Sequence, residues 1–420
     1  MVKKAALFFV ALTLLASSLQ AQSADSSDEK FLEKLEYDSI LYFIKESNPA
    51  NGLIKDSSRP GSPASVAAVG FGLTAICIGE SRGWIAKDDA YQLVLKIMRT
   101  FRDKVPHKNG FFYHFLDMRT GSRTWNSEIS SIDTALFIAG ALFAGEYFKG
   151  TEVENIANEL YERIDWPWML NGKKVLCLGW TPEQGFLWYY WDTYSEAMIL
   201  YALAIGSPTH PISADCWFEW KRPVDSYGGY SGIVYCPTGS IFTYQYSHAW
   251  VDFRQIFEDG LNYYNNSASA IKANRQFCID NSSSFKTYSE DSWGLSACLG
   301  PDGYKGYGAK PGSGFNDGTI PPYGMAGSLP FDPIASLNGL KNLYANHKKF
   351  LYGKYGFKDA FNLDKKWWAE EYLGIDVGIT VVMIENYRSG LVWSKFMELP
   401  AIKSWISKCF YKMRYQTKVA

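Results

Sequence analysis

Three segments of the chain begin alike and recur about 60 residues apart: Val69-Gly-Phe-Gly-Leu-Thr-Ala75, Asp133-Thr-Ala-Leu-Phe-Ile-Ala139 and Tyr194-Ser-Glu-Ala-Met-Ile-Leu200. Ile375-Asp-Val-Gly-Ile-Thr-Val-Val-Met-Ile384 is a fourth of the same kind. A helix that is apolar on every side has to be buried on every side. Each of the first three is followed by a short turn and a more amphipathic segment, the pattern of an αα-hairpin with one inner and one outer helix. About twelve helices can be counted this way, which predicts an all-α fold, an (α/α)6 toroid in which outer helices ring inner ones. A solenoid of helical pairs has the same local pattern, so closure of the ring is an expectation.

Helical spacing of apolar residues runs through 64–81, 87–104, 131–148, 152–164, 194–205, 246–260, 264–279, 331–346, 376–388 and 396–412. Strand-like alternation is confined to short stretches near 110–116 and 233–244. Long Gly-, Pro- and aromatic-rich loops lie between the helices at 48–63, 165–192, 222–245 and 299–330. Loops of this length in a compact domain carry function or are disordered. These hold Trp, Tyr, Asp and Gly rather than Ser, Glu and Lys, and are expected to form ordered cleft walls over the inner-helix ends.

Composition narrows the function. With 47% hydrophobic and 20% charged residues among 420, the chain has the apolar content a folded core requires. A net charge of -1 with mixed signs predicts no basic face and no nucleic-acid partner. The 15 Trp, 28 Tyr and 26 Phe have two readings, core packing and stacking on sugar faces in a cleft, and runs such as Gly185-Phe-Leu-Trp-Tyr-Tyr-Trp191 fit the second. At the N-terminus, Lys3 and Lys4 precede a short apolar run ending in small residues near Ala21, the pattern of a cleavable signal peptide over 1–21. That leaves a polar linker at 22–29 and one catalytic domain at 30–420, in a periplasmic or secreted protein with no membrane span in the mature chain. The seven cysteines show no CxxC spacing, so no metal site is expected of them.

Cleavage of a glycosidic bond needs one carboxyl to protonate the leaving oxygen and another to activate water or attack. Two clusters at inner-helix mouths offer them. Trp125-Asn-Ser-Glu128 through Asp133 precedes an apolar run, although Ser130-Ser-Ile-Asp133 also fits a capping box. In Trp191-Asp192-Thr-Tyr-Ser-Glu196 the two acids are four apart, sharing a face if helical, and Thr193-Tyr-Ser-Glu196 again fits a cap. Glu128 and Glu196 are the expected catalytic pair, with Asp133 in support. His248 and Asp252, also four apart, are a weak metal pattern and a better structural contact. Asn316-Asp317-Gly318 reads mainly as a turn, yet Asp317 between aromatic loops, and Asp56 and Arg59 in an exposed loop, are candidates to bind sugar hydroxyls. No GxGxxG after a strand, P-loop, GxSxG or HExxH motif is present.

Ser65-Val-Ala-Ala-Val-Gly-Phe-Gly-Leu-Thr-Ala75, Gly110-Phe-Phe-Tyr-His-Phe-Leu-Asp117, Trp125 through Ala135, Trp191 through Ala197, Tyr246 through Arg254, Asn316 through Pro322 and Glu385 through Leu391 together resemble the glucoamylase-like domain family. The resemblance covers nearly all of the chain from about residue 30 and is nearest to the β-1,2-glucanases of glycoside hydrolase family 144. It implies an (α/α)6 toroid, inverting hydrolysis of β-1,2-glucan or sophoro-oligosaccharides, and no obligatory cofactor. In some relatives the base acts through an intervening water or substrate hydroxyl. The acids that match the family's helix-mouth motifs are Glu128, Asp133 and Glu196. Within the matching runs and their loops, Tyr113, His114, Trp125, Trp191, Asp192, His248, Asp317, Asp56 and Arg59 are the expected substrate-binding residues. A non-catalytic glycan-binding protein and a hydrolase of another β-glucan linkage are the alternatives. A lyase would need a cationic cluster that the sequence does not offer.

Overall fold

The computed structural model describes residues 26–410. The expected signal peptide therefore lies outside the described residues. The first helix begins at Ser26, so the last four residues of the expected linker, 26–29, are helical. Ten helices of nine or more residues are described: α1 (Ser26–Lys45), α2 (Val66–Ser81), α3 (Lys87–Asp103), α4 (Ser131–Tyr147), α5 (Glu152–Glu162), α6 (Met198–Gly206), α7 (Tyr263–Asp280), α8 (Pro333–Leu351), α9 (Gly374–Arg388) and α10 (Pro400–Cys409). The strands are two to five residues long and form two- and three-stranded antiparallel sheets in the connections.

The division into buried and amphipathic helices holds. In α2 every residue from Val66 to Gly79 is buried, and α6 is buried along its whole length. By contrast α3 buries one stripe, made by Ala90, Val94, Leu95, Ile97, Met98, Thr100 and Phe101, and α5 another through Val153, Ile156, Ala157, Leu160 and Tyr161. The two all-buried helices α2 and α4 touch through backbone. A Cβ added to Gly140 would stand 2.0 Å from the Gly70 carbonyl oxygen, and one on Gly70 would stand 2.3 Å from that of Leu136. The helix α9 also approaches α2, closely enough that a Cβ on Gly378 would meet the Phe71 Cβ at 2.4 Å. Glycine is what lets these apolar helices pack axis to axis.

Two of the buried helices, α2 and α4, start in the same manner. Ser65 caps α2 by accepting from the Ala68 N–H, and Ser130 caps α4 by accepting from that of Asp133. Each cap ends a two-residue strand: Ala64–Ser65 pairs with Phe115–Leu116, and Ile129–Ser130 with Gly179–Trp180. These small sheets tie the helix mouths to the loops between them and so gather polar side chains at one end of the helices.

Two expected helices are shorter. The 194–205 segment becomes helical only at Met198, and 246–260 breaks into a helix at Tyr246–Trp250, a 3-10 turn at Phe253–Gln255 and a short hairpin. The 396–412 segment divides at Pro400 between Leu391–Phe396 and α10. All seven cysteines are buried and unpaired. No described helix is long and apolar enough to cross a membrane.

Candidate active site

A cavity of about 520 Å³ opens over the mouths of the buried helices. Its walls include Asp56, Arg59, His114, Trp125, Asp133, Leu136, Glu196, Phe242, Tyr246, Leu299, Tyr304, Glu371 and Ile375. It combines apolar faces with a few convergent acids, as small-molecule sites do.

His114 is the hub of its charges. The backbone fixes it between two helix mouths, because the Val66 N–H donates to its carbonyl (3.1 Å) while its own N–H donates to the Glu128 carbonyl (2.9 Å). The ring stacks on Phe115 at 3.9 Å, with Nδ1 3.0 Å from Glu128 Oε1 and Nε2 3.4 Å from Asp133 Oδ1. Burial works against a charged imidazole, yet the carboxylates of Asp133 and Glu128 outweigh it and raise His114 from 6.5 to about 9. Burial likewise pushes Glu128 up, but the hydrogen bond and charge of His114 bring it below its ordinary value. Asp133 stays raised by burial, although His114 and the Ser130 hydroxyl, which donates to it at 2.5 Å, pull the other way.

His114, Glu128 and Asp133 also form the group among the described residues whose ligand atoms lie close enough to hold a metal, within 4.8 Å of one another. The two ring nitrogens address different carboxylates. That is how an imidazolium bridges two acids, whereas a metal ion would be bound through one nitrogen only.

Glu196 faces the same cavity from two residues ahead of α6. Its carbonyl accepts from the Ser247 hydroxyl at 2.6 Å, and that hydroxyl in turn accepts from the Ile199 N–H, which locks the turn into the helix. Burial raises its carboxyl from 4.5 to about 7, and the charge of Asp133 adds to the effect. A carboxylic acid that keeps its proton near neutrality is what a general acid requires. Asp56, read from sequence as an exposed loop residue, is instead part of this wall, and burial raises it to about 6.

The structure thus brings Asp133, Glu196, His114, Trp125, Asp56 and Arg59 to one cavity. Glu128 does not line it and stands behind the His114 ring. Asp192 and Glu196 do not share a helix face, since both precede α6. The expected cap at Thr193 is replaced by pairing with a neighbouring strand, where the Lys221 N–H donates to Asp192 O and the Tyr194 N–H to Lys221 O. The Asp192 carboxylate pairs with Lys221 at 3.0 Å, away from the cavity. Trp191 is a strut whose indole N–H donates to Ser131 Oγ at 2.9 Å. Tyr113 lies under the Arg123 guanidinium, outside the cavity wall.

His248 is corrected outright: it is fully buried, burial depresses it to about 3, and its Nε2 meets the Ser267 hydroxyl at 3.0 Å rather than Asp252. Asp252 caps the following turn and pairs with Arg254. Asp317 holds a turn through Thr319 and an ion pair with Lys365 at 3.0 Å, again outside the cavity. Tyr246, Tyr304, Phe242, Leu299 and Glu371 also line the cavity, and the sequence alone does not single them out as binding residues. Glu371 pairs with Arg59 across two adjacent wall loops. Phe242, Leu299 and Tyr304 lie in the long aromatic loops and Tyr246 in the 246–254 run, whereas Glu371 carries no local signal.

Comparison with known proteins places this geometry. Residues 188–400 match the family model described as "Putative glucoamylase". The exo beta-1,2-glucooligosaccharide sophorohydrolase (non-reducing end) of Parabacteroides distasonis is 29% identical over 94% of this chain, which spans 59% of that relative's length. Among solved structures, the endo-beta-1,2-glucanase of Chitinophaga pinensis in complex with sophorotriose and glucose is 28% identical, with a TM-score of 0.85 over 92% of this chain and 99% of that one. A beta-1,2-glucanase from Parabacteroides distasonis is 27% identical with a TM-score of 0.86, covering 93% of this chain and 61% of that one. With the family match spanning half of its length, the chain belongs to the glucoamylase-like family.

Proposed function

We propose that the protein hydrolyses β-1,2-glucan or sophoro-oligosaccharides with inversion, in the periplasm or outside the cell after loss of residues 1–21. The observation that carries the reading is Glu196, a cavity carboxyl raised to about 7 and facing a second acid, Asp133, beside a protonated His114. The names borne by the similar proteins from Parabacteroides distasonis and Chitinophaga pinensis supply the substrate class.

In this mechanism Glu196 gives its proton to the glycosidic oxygen as the bond to the anomeric carbon breaks. Water attacks that carbon from the opposite face, and its proton passes to Asp133, directly or through a substrate hydroxyl. Glu128 does not touch the sugar: it is a positioning residue that holds the His114 imidazolium, and that charge favours the ionised form of Asp133 against its burial. Trp125, 65% exposed on the cavity wall, offers a ring face for stacking.

The toroidal arrangement belongs to the same proposal. Its inner ring would run α2, α4, α6, the 246–250 helix, the 323–326 helix and α9, with α9 returning to α2. Supporting it are the Gly70–Gly140 contact, the Ile199–Ser247 hydrogen bond, the Gln245 amide donating to Gly324 O at 2.9 Å, and the Gly378–Phe71 contact. Incubation with linear β-1,2-glucan tests the function, with release of sophoro-oligosaccharides expected. No product from this glucan, with cleavage of laminarin or cellodextrins, would overturn the substrate assignment.

A further inference from the structure

We infer that Trp188 and Tyr189 form a second, external carbohydrate-binding platform that holds glucosyl units of a long glucan chain beyond the cavity. The inference rests on the proposed function and extends it from a cleft to a polymer-binding surface.

The two rings stack on each other at 3.7 Å, and they are 77% and 55% exposed. Such exposure leaves large apolar faces in water. The backbone shows why both point the same way. Residues 185–191 run antiparallel to 176–181, with the Leu187 N–H donating to Gly179 O and the Leu178 N–H donating to Tyr189 O. Two residues, Trp188 and Tyr189, thus stand opposite one, Leu178. An extra residue of this kind re-aims side chains that would alternate in a regular strand.

The segment is also held on both sides. Tyr190 bridges to Cys177, its hydroxyl accepts from the Asn171 amide, and the Lys173 ammonium sits 3.4 Å from its ring centre. Trp191 is fixed to Ser131. A braced loop with two rings turned outward is preorganised for a flat apolar face, and the carbon-bound hydrogens of a pyranose ring present one.

Its place favours a glucan. The hairpin that carries it pairs through Trp180 with Ile129, next to Glu128 and the mouth of α4. Arg123 latches the turn of that hairpin through Glu183 and holds the carbonyl of Asn126, the neighbour of the cavity residue Trp125. The platform and the cavity wall therefore belong to one fixed unit.

The test compares the double variant Trp188→Ala/Tyr189→Ala, and the conservative Trp188→Phe, with the unmodified protein on long β-1,2-glucan and on a short sophoro-oligosaccharide. Both ring changes leave the backbone hydrogen bonds in place. The expected result is a KM for the polymer raised about fivefold, the scale of one lost stacking contact, with kcat and all constants for the short substrate unchanged. Trp188→Phe should recover most of the loss. Retardation of the Glu196→Gln protein in a gel containing β-1,2-glucan should likewise weaken when the two rings are removed. Unchanged polymer KM and unchanged retardation would overturn the platform while leaving the proposed function standing. An unmodified protein inactive on both substrates would overturn the function itself, and retardation lost with the rings would then still identify a glycan platform.

Discussion

Replacing Glu196 by Gln tests two consequences of one burial. The carboxyl has been moved from 4.5 to about 7 by its surroundings. Between those values the folded chain keeps a proton that the unfolded chain gives up, so this group's contribution to stability falls as pH rises through the window. Each pH unit is worth about 1.4 kcal/mol, which makes a penalty of about 3 kcal/mol at pH 8 that is absent near pH 4. Gln cannot ionise and does not carry that penalty. Measured by urea unfolding, the variant should gain about 3 kcal/mol relative to the unmodified protein on going from pH 4 to pH 8. In the same protein, turnover should fall by about 10²–10⁴-fold, the usual contribution of a general acid. The unmodified enzyme should also lose kcat/KM as pH rises through about 7, where Glu196 surrenders its proton. A variant that keeps its turnover, or whose stability follows pH in parallel with the unmodified protein, refutes the reasoning.

Three further outcomes follow from named contacts. His114 is raised to about 9, so its stabilisation is fully present below 6.5 and lost as pH rises through about 9. His114→Ala should cost about 3 kcal/mol more at pH 6 than at pH 10, in paired urea titrations. Ser130→Ala removes both the cap of α4 and the hydroxyl that holds Asp133; it should cost about 1 kcal/mol by thermal unfolding and lower kcat on the glucan. Gly140→Ala drives a methyl against the Gly70 carbonyl at 2.0 Å, and should destabilise the fold by about 1–3 kcal/mol or more. An unaltered melting temperature would show that α2 and α4 can separate freely.

What the sequence disclosed depended on the range of the interaction. Helices buried on every side were legible because Val69–Ala75 and Ala135–Ala144 carry no polar stripe at all, and the Ser caps sat where the apolar runs began. The helix expected at 194 begins instead at Met198, because residues 192–194 pair with the backbone of Lys221, 27 or more residues away, and the Thr193 hydroxyl turns to Asp192. The His248–Asp252 pair failed for a similar reason: the helix stops at Trp250, and the ring turns to Ser267. In the candidate site, Glu128 and Asp133 could be singled out by their neighbours. Their joint grip on His114 spans 14 and 19 positions and rests on strand pairing between 113–116 and the two helix mouths. No local pattern encodes that. Asp56 illustrates the same limit, since a polar residue in a Ser- and Pro-rich loop reads as exposed until other loops close over it.

Product analysis on linear β-1,2-glucan, with Glu196→Gln as the inactive control and laminarin and cellodextrins alongside, decides whether the protein cleaves a β-1,2-linked glucan. Sophoro-oligosaccharides are expected from β-1,2-glucan alone, as a ladder if cleavage is internal and as disaccharide if it proceeds from a chain end. Product from laminarin or cellodextrins but none from β-1,2-glucan, or product undiminished in the Glu196→Gln protein, would contradict the proposed function.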